Sequence, residues 1–185
     1  MKKLKSSELI KIADEILNNK LIVVKTDTVM GIVGLNFVQI AQVKKRDLMQ
    51  KQVIFVNNTN HWVPLKNKLL RKLIDLFWPG SLTIVFDGIA YRMPDSPFLL
   101  NLISLTGNLY SSSANISGTD VANDLDECEK IFADYSDQII LVDDSNLTNS
   151  NTPSTIFDLD NMRLIRCGDL AKKAEFQKIL KKKSY

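Results

Sequence analysis

Two rhythms of apolar residues run along the chain, one helical and one extended. Ile10, Ile12, Ala13, Ile16 and Leu17 recur at near-helical spacing after Ser6-Ser7-Glu8, which predicts an amphipathic helix over about residues 7–18, with Met1 to Lys5 leading into it. Val38 to Arg46 predicts a short second helix with Ile40 and Val43 inward. Leu69, Leu70, Leu73, Ile74 and Phe77 line one face of a third that starts near Asn67. Trp78-Pro79-Gly80 ends it, because proline cannot continue the ladder and glycine tolerates positive φ. Phe98 to Thr106 is a fourth, closed by Gly107-Asn108. Asp124 and Glu127 stand at capping-box spacing before Ile131 and Phe132 and open a fifth, and a last helix runs from about Lys172 to Lys183.

The extended rhythm supplies about seven strands. Leu21-Ile22-Val23-Val24 is a β-branched run of the kind buried on both faces of a sheet. Gln52 to Val56, Ser81 to Phe86, a segment ending at Leu109-Tyr110, and Ile139 to Val142 follow. Pro153 to Asp158 and Met162 to Arg166 flank Asp160-Asn161 and predict a hairpin. Strands that alternate with helices predict an α/β protein.

Size and composition narrow the class. With 185 residues, 45% of them hydrophobic, the chain suits one domain with a substantial core, so residues 1–185 are expected to form a single domain. No apolar run approaches the roughly 20 residues that span a bilayer, and the N-terminus lacks a signal-peptide core, so a cytoplasmic protein without a membrane partner is expected. Cys128 and Cys167 lack metal-ligand spacing and a disulfide framework, so they are read as thiols and no protein-borne metal site is expected. His61, the one histidine, lies beside the Asn-rich run Asn57 to Asn60 and is read as a surface residue.

Candidate chemistry sits in the polar segments between these elements. Lys25-Thr26-Asp27-Thr28-Val29-Met30-Gly31 leaves a buried strand with two hydroxyls and a carboxylate, and strand exits in open α/β sheets are common ligand sites. Ser111-Ser112-Ser113-Ala114-Asn115-Ile116-Ser117-Gly118 packs hydroxyls, an amide and a glycine into one turn. Each is also compatible with a plain Asx or Ser/Thr turn. Asp143 to Asn151 is a polar loop long enough to be functional. Lysines number nineteen against five arginines, and Arg46, Arg92 and Arg166 lie within polar stretches. A guanidinium grips carboxylate or phosphate with a planar fork that lysine lacks. With Lys44 and Lys51, these arginines are placed to surround a polyanion.

Seven motifs, in order, resemble the YrdC-like threonylcarbamoyl-AMP synthases, of the short, single-domain type. Thr26-Asp27-Thr28-Val29-Met30-Gly31 is similar to the family's Thr-Asp-Thr-Val-Tyr-Gly, and Lys44-Lys45-Arg46 to its Lys-x-Arg. Trp78-Pro79-Gly80-Ser81-Leu82-Thr83 resembles Trp-Pro-Gly-Pro-Leu-Thr, and Arg92-Met93-Pro94 resembles Arg-x-Pro. Ser113-Ala114-Asn115-Ile116-Ser117-Gly118 matches Ser-Ala-Asn-x-Ser-Gly, and Pro153-Ser154-Thr155-Ile156 with Arg166-Cys167-Gly168 closes the series. Lys25, Met30, Asp47 and Ser81 depart from the family's Pro, Tyr, Pro and Pro, and Lys51 stands one place late.

The resemblance implies a twisted mixed open sheet with flanking helices and a basic concave cavity. It implies the joining of L-threonine, bicarbonate or CO2, and ATP into threonylcarbamoyl-adenylate and pyrophosphate, with Mg2+ carried mainly by the ATP phosphates. The product would pass to a tRNA-modifying threonylcarbamoyl transferase for the t6A modification. Carried over residue by residue, Lys44 and Arg46 would hold the triphosphate and serve catalysis, with Lys51 beside them. Thr26, Thr28, Arg92, Ser113 and Ser154 would contact threonine or its carbamate, while Thr83, Asn115 and Arg166 would contact ATP. The alternatives are a divergent paralogue of this family and a non-catalytic RNA-binding module that uses the same basic concavity.

Overall fold

The computed structural model describes residues 1–50, 52–58, 67–144, 146–147, 149–170 and 173–181. Lys51, Asn60, His61, Lys172 and Lys183, named above, and Ser145 and Thr148 within the Asp143 to Asn151 loop lie outside the described residues.

The strands are β1 (Lys2–Lys5), β2 (Leu21–Lys25), β3 (Met30–Gly34), β4 (Val53–Phe55), β5 (Leu82–Phe86), β6 (Ile89–Arg92), β7 (Leu109–Ser113), β8 (Ile139–Asp143), β9 (Thr155–Asp158) and β10 (Arg163–Arg166). They form one open sheet in the order β1-β8-β2-β3-β7-β4-β6-β5-β9-β10. The sheet is mixed: β1, β8 and β2 run parallel, as do β4 with β6 and β5 with β9, and the other neighbours are antiparallel. The helices are α1 (Leu9–Leu17), α2 (Phe37–Val43), α3 (Lys68–Phe77), α4 (Pro97–Thr106), α5 (Leu125–Ile131) and α6 (Lys173–Lys181). The α/β mixed open sheet with flanking helices is therefore as expected, and each of the six predicted helices has its counterpart.

Among the described residues, three strands exceed the seven predicted, for visible reasons. β1 is a lysine-rich edge strand, in which only Leu4 is buried, so it shows no apolar alternation. Met30-Gly31-Ile32-Val33-Gly34 carries two glycines, which are depleted in strands, yet all five residues of β3 are buried beside β2. β6 is four residues long and starts at the Gly88 turn.

Helix starts follow side-chain capping. Asn36, Asn67, Ser96 and Asp124 each accept a backbone N–H of the first turn, and Pro97 fills the position where no donor is needed. Apolar faces then divide between the two sides of the sheet. Because side chains alternate along a strand, Ile22, Val24, Val33, Leu109 and Phe55 share one face, and α1 and α4 cover them with Ile12, Ile16, Leu99 and Leu102. Leu21, Val23, Ile32 and Leu141 point the other way under α2 and α5. Farther along that second face, Leu82, Ile84 and Phe157 pack under α3 and α6. Fully burying each such side chain stabilises the fold by about 1.5–3 kcal/mol.

On the first face, the apolar cover gives way to polar residues toward β6 and β5. Ser111 and Ser113 on β7, Arg92 on β6 and Thr83 on β5 project there, because Ser111 pairs with Val33 and Val53, and Thr83 continues the register opposite Arg92. The second face is covered by helices over both halves of the sheet, so a polar ligand has the first face to approach.

Candidate active site

The turn after β2 is organised by one hydroxyl. Thr26 Oγ1 donates to Val29 O at 2.7 Å and accepts from the backbone N–H groups of Thr28 and Val29 at 3.2 and 3.3 Å. Its single proton is thereby used, so in the 3.1 Å contact between the two threonine hydroxyls Thr28 is the donor. Thr28 Oγ1 in turn accepts from an Arg92 Nη1–H at 3.0 Å. A directed chain results, from Arg92 through Thr28 and Thr26 to Val29 O, in which each bond polarises the next.

Arg92 is 4% exposed and is held from three directions. Its Nε–H donates to Gly80 O at 3.0 Å, its Nη2–H pairs with the Asp27 carboxylate, and its guanidinium lies over the Phe55 ring, 5.5 Å from the centroid. Three of the five guanidinium N–H groups are used in this way, which leaves two for a ligand. Gly80 is required for the approach, since a Cβ there would stand 2.7 Å from Phe77 O.

The serine-rich turn beyond β7 is filled from within. Lys44, at the end of α2 and 2% exposed, donates its ammonium protons to Ser113 O, to Asn115 O at 2.7 Å and to Asn115 Oδ1 at 2.9 Å. Burial, and then the charge of Arg46, push Lys44 down from the usual lysine value to about 7, while the three accepting oxygens favour the charged form. Asn115 Nδ2 donates to Ile116 O at 2.8 Å and to Thr119 O at 2.7 Å, and its Oδ1 also accepts from Ser113 Oγ at 2.7 Å. Lys44, expected at a triphosphate, and Asn115, expected at ATP, bond within the turn here.

Arg46 keeps its side chain at the surface end of α2, where Nη1–H donates to Ser112 Oγ at 3.2 Å and Nε–H to Gln50 Oε1 at 2.8 Å. Partial burial lowers its pKa. Ser112 alternates away from Ser111 and Ser113, so Arg46 meets β7 from the α2 side of the sheet.

The far wall comes from β9 and β10. Thr83 Oγ1 and Ser154 Oγ lie 2.9 Å apart, both buried, and Arg166 binds Ser154 O through Nε–H at 2.8 Å and Ser154 Oγ through Nη2–H at 3.0 Å. The Arg166 head group is partly enclosed although much of the side chain is exposed; that desolvation, and then the charge of Arg92, lower its pKa. Gly168 closes the wall, because a Cβ there would stand 1.9 Å from Pro153 O.

These elements meet around a cavity of about 60 Å³ whose wall includes Thr26, Thr28, Arg92, Ser113, Ser154 and Arg166. Thr83 stands behind Ser154, Lys44 and Asn115 stand within the turn, and Arg46 stands at its outer edge. Ser111 and Ser112, singled out only as part of the serine-rich stretch, and Phe55, which was not predicted, also line the cavity, and Asp27 was overlooked as the partner of Arg92 although it sits between the two threonines. Among the described residues, larger cavities lie elsewhere. One, of about 390 Å³, adjoins Asp27 and Gly80 on the other side of the Arg92 pair; another, of about 620 Å³, lies where β1, β8 and β2 end and holds none of the predicted site residues. The small cavity is the better candidate because the hydroxyls and guanidinia converge there. Among the described residues no three His, Cys, Asp or Glu side chains are placed to hold a metal ion. No described helix is long and apolar enough to cross a membrane.

Fold and site together define an α/β protein with an arginine-walled polar pocket on one face of its sheet. The Sua5/YciO/YrdC family, described as telomere recombination, matches residues 14–168, and the chain belongs to that family. An uncharacterised protein of Mycoplasma pneumoniae is 31% identical over 160 residues; the match covers 86% of this chain and 34% of the relative, so the chain spans about a third of that relative's length. A Methanocaldococcus jannaschii protein provisionally designated a threonylcarbamoyl-AMP synthase is 32% identical over 82% of this chain and 80% of its own length. Among solved structures, P. abyssi Sua5 complexed with L-threonine is similar with a TM-score of 0.81 and 23% identity, covering 96% of this chain and 60% of that one, which is agreement in fold.

Proposed function

We propose that this chain is a threonylcarbamoyl-AMP synthase, which joins L-threonine, bicarbonate or CO2, and ATP. The observation that carries the reading is the convergence of Thr26, Thr28, Arg92, Ser113, Ser154 and Arg166, drawn from separate parts of the sequence, on one cavity. Family membership and a relative of known fold complexed with L-threonine support it.

In this reading the threonine carboxylate takes the two remaining N–H groups of Arg92, a bidentate pairing suited to a planar fork. The threonine nitrogen forms a bond to the carbon of CO2 with loss of a proton, or to that of bicarbonate with loss of water, to give a carbamate beside Thr26 and Thr28. An oxygen of the carbamate attacks the α-phosphorus of ATP, a P–O bond forms, and the bond to the β-phosphate oxygen breaks to release pyrophosphate. Such chemistry depends on positioning and charge stabilisation more than on a protein nucleophile. A cavity of about 60 Å³ suits the small polar end of this assembly, so ATP would extend over the open face past Ser154 and Arg166. Mg2+ would arrive on those phosphates, in keeping with its habit of binding through substrate phosphates and water. The product would serve a tRNA-modifying threonylcarbamoyl transferase.

Mass spectrometry of a reaction containing ATP, Mg2+, bicarbonate and L-threonine tests the reading: a threonine-carbamate adduct of AMP is expected. Salt-sensitive RNA binding without any such adduct would replace it with the RNA-binding reading.

A further inference from the structure

We propose that Lys44 is a positioning residue: its ammonium is the internal brace that holds the Ser113 to Thr119 turn in shape, and it reaches the ligand only through Ser113. An ammonium carries three N–H donors, and three oxygens of this turn, Ser113 O, Asn115 O and Asn115 Oδ1, accept from it. No donor is left over for a phosphate. The same residue holds the turn through its main chain, since Ser117 N–H donates to Lys44 O at 2.8 Å.

Asn115 passes the constraint on. Both of its amide protons go to carbonyls within the turn, at Ile116 and Thr119, and its Oδ1 takes Lys44 on one side and Ser113 Oγ on the other. The donor and acceptor capacity of the amide is thus fully used. The proton of the Ser113 hydroxyl is committed to Asn115, so the cavity receives the oxygen lone pairs of Ser113. A hydroxyl fixed in this way recognises an N–H or O–H of the ligand and refuses a second acceptor.

The backbone at the end of α2 aims the lysine into the turn. Lys45 adopts φ of 50°, Lys45 N–H donates to Gln42 O at 3.0 Å and Arg46 N–H to Ala41 O at 2.8 Å, the bond pair of a Schellman motif with lysine in the place usual for glycine. Reversing the chain there sends Lys44 inward to Asn115 and Arg46 outward to Ser112. This assignment does not depend on which substrates the site takes.

Amide hydrogen exchange on the unliganded protein tests it, with Lys44→Met, Lys44→Arg and Arg46→Met compared with the parent chain. Lys44→Met should speed exchange at residues 114–119 by about tenfold or more while α1 exchanges as before, because opening there becomes local. Lys44→Arg keeps charge and donors and should recover part of the protection, a rescue that loss of packing alone would not show. Arg46→Met should leave the turn unchanged. Calorimetry with inorganic pyrophosphate adds the second readout, with Lys44→Met expected to bind as the parent does. Unchanged exchange at 114–119 in Lys44→Met would overturn the proposal whatever happens to pyrophosphate. If Lys44→Met fails to fold, Lys44→Arg with exchange as fast as an unstructured turn gives the same contradiction.

Discussion

Arg92 and Asp27, 65 positions apart in sequence, form an ion pair that divides two cavities: Arg92 lines the small polar one and Asp27 the larger one behind it. Both side chains are largely buried, at 5% and 11% exposure, and Asp27 is further fixed because Ser150 N–H donates to its backbone carbonyl at 3.3 Å. Removing one partner of a buried pair leaves an uncompensated charge. Asp27→Ala should therefore cost about 3–5 kcal/mol in urea denaturation, well beyond the worth of a surface pair. A loss below about 1 kcal/mol would mean that solvent replaces the carboxylate with ease.

Arg92 itself is tested by Arg92→Lys, which keeps the charge and loses the fork. An ammonium cannot reach Gly80 O, Thr28 Oγ1 and Asp27 in three directions while offering two parallel donors to a carboxylate. Calorimetry should show threonine affinity down by about tenfold or more, roughly 1.4 kcal/mol, with ATP affinity little changed. The reverse pattern would exchange the places assigned to the two substrates.

Asn115→Ala should lower stability as well as turnover, because it removes the partner of the Thr119 carbonyl, of the Ser113 hydroxyl proton and of one donor of Lys44, while Ile116 O keeps the Thr119 N–H and hydroxyl. About 1–3 kcal/mol is the scale for leaving buried polar groups unsatisfied. Normal melting together with abolished ATP binding would instead make Asn115 a direct ligand contact.

How much of this was legible in the sequence depends on how local the signal is. Leu21 to Val24 declared a doubly buried strand because its neighbours on both faces demand apolar side chains, and all four residues are buried. Met30 to Gly34 hid the adjoining strand, because its two glycines favour turns in isolation and become tolerable only against β2 and β7. The residues of the pocket were visible as motifs, since hydroxyls and arginines cluster in short polar stretches. Their directions were not. Whether Lys44 points at a phosphate or at Asn115 is decided by the reversal at Lys45 and by an interaction across 71 positions, and no local pattern encodes either.

That reversal offers a stability test. Lys45 holds a left-handed conformation with φ of 50°, which costs a residue with a Cβ roughly 1 kcal/mol relative to glycine. Lys45→Gly should raise stability by about that amount in denaturant titration and leave ligand affinities as they were. A loss of stability would show that the lysine side chain contributes more than its backbone costs.

The two thiols should behave oppositely. Burial, and then the carboxylates of Asp124 and Glu127, raise Cys128 to about 12, while Cys167 is exposed. Only the thiolate attacks a disulfide reagent, so at pH 8 the native protein should titrate one thiol rapidly and the unfolded protein two. Rapid reaction of both in the native state would place Cys128 nearer solvent than its position on the buried face of α5 indicates.

Pyrophosphate release is the most direct test of the synthase reading. Purified protein given ATP and Mg2+ should release pyrophosphate when both L-threonine and bicarbonate are present and should fall to background when either is left out. Arg92→Lys should require more threonine for the same rate. Release that proceeds equally well without threonine or without bicarbonate would contradict the assignment of the Arg92, Thr26 and Thr28 pocket to a threonine carbamate.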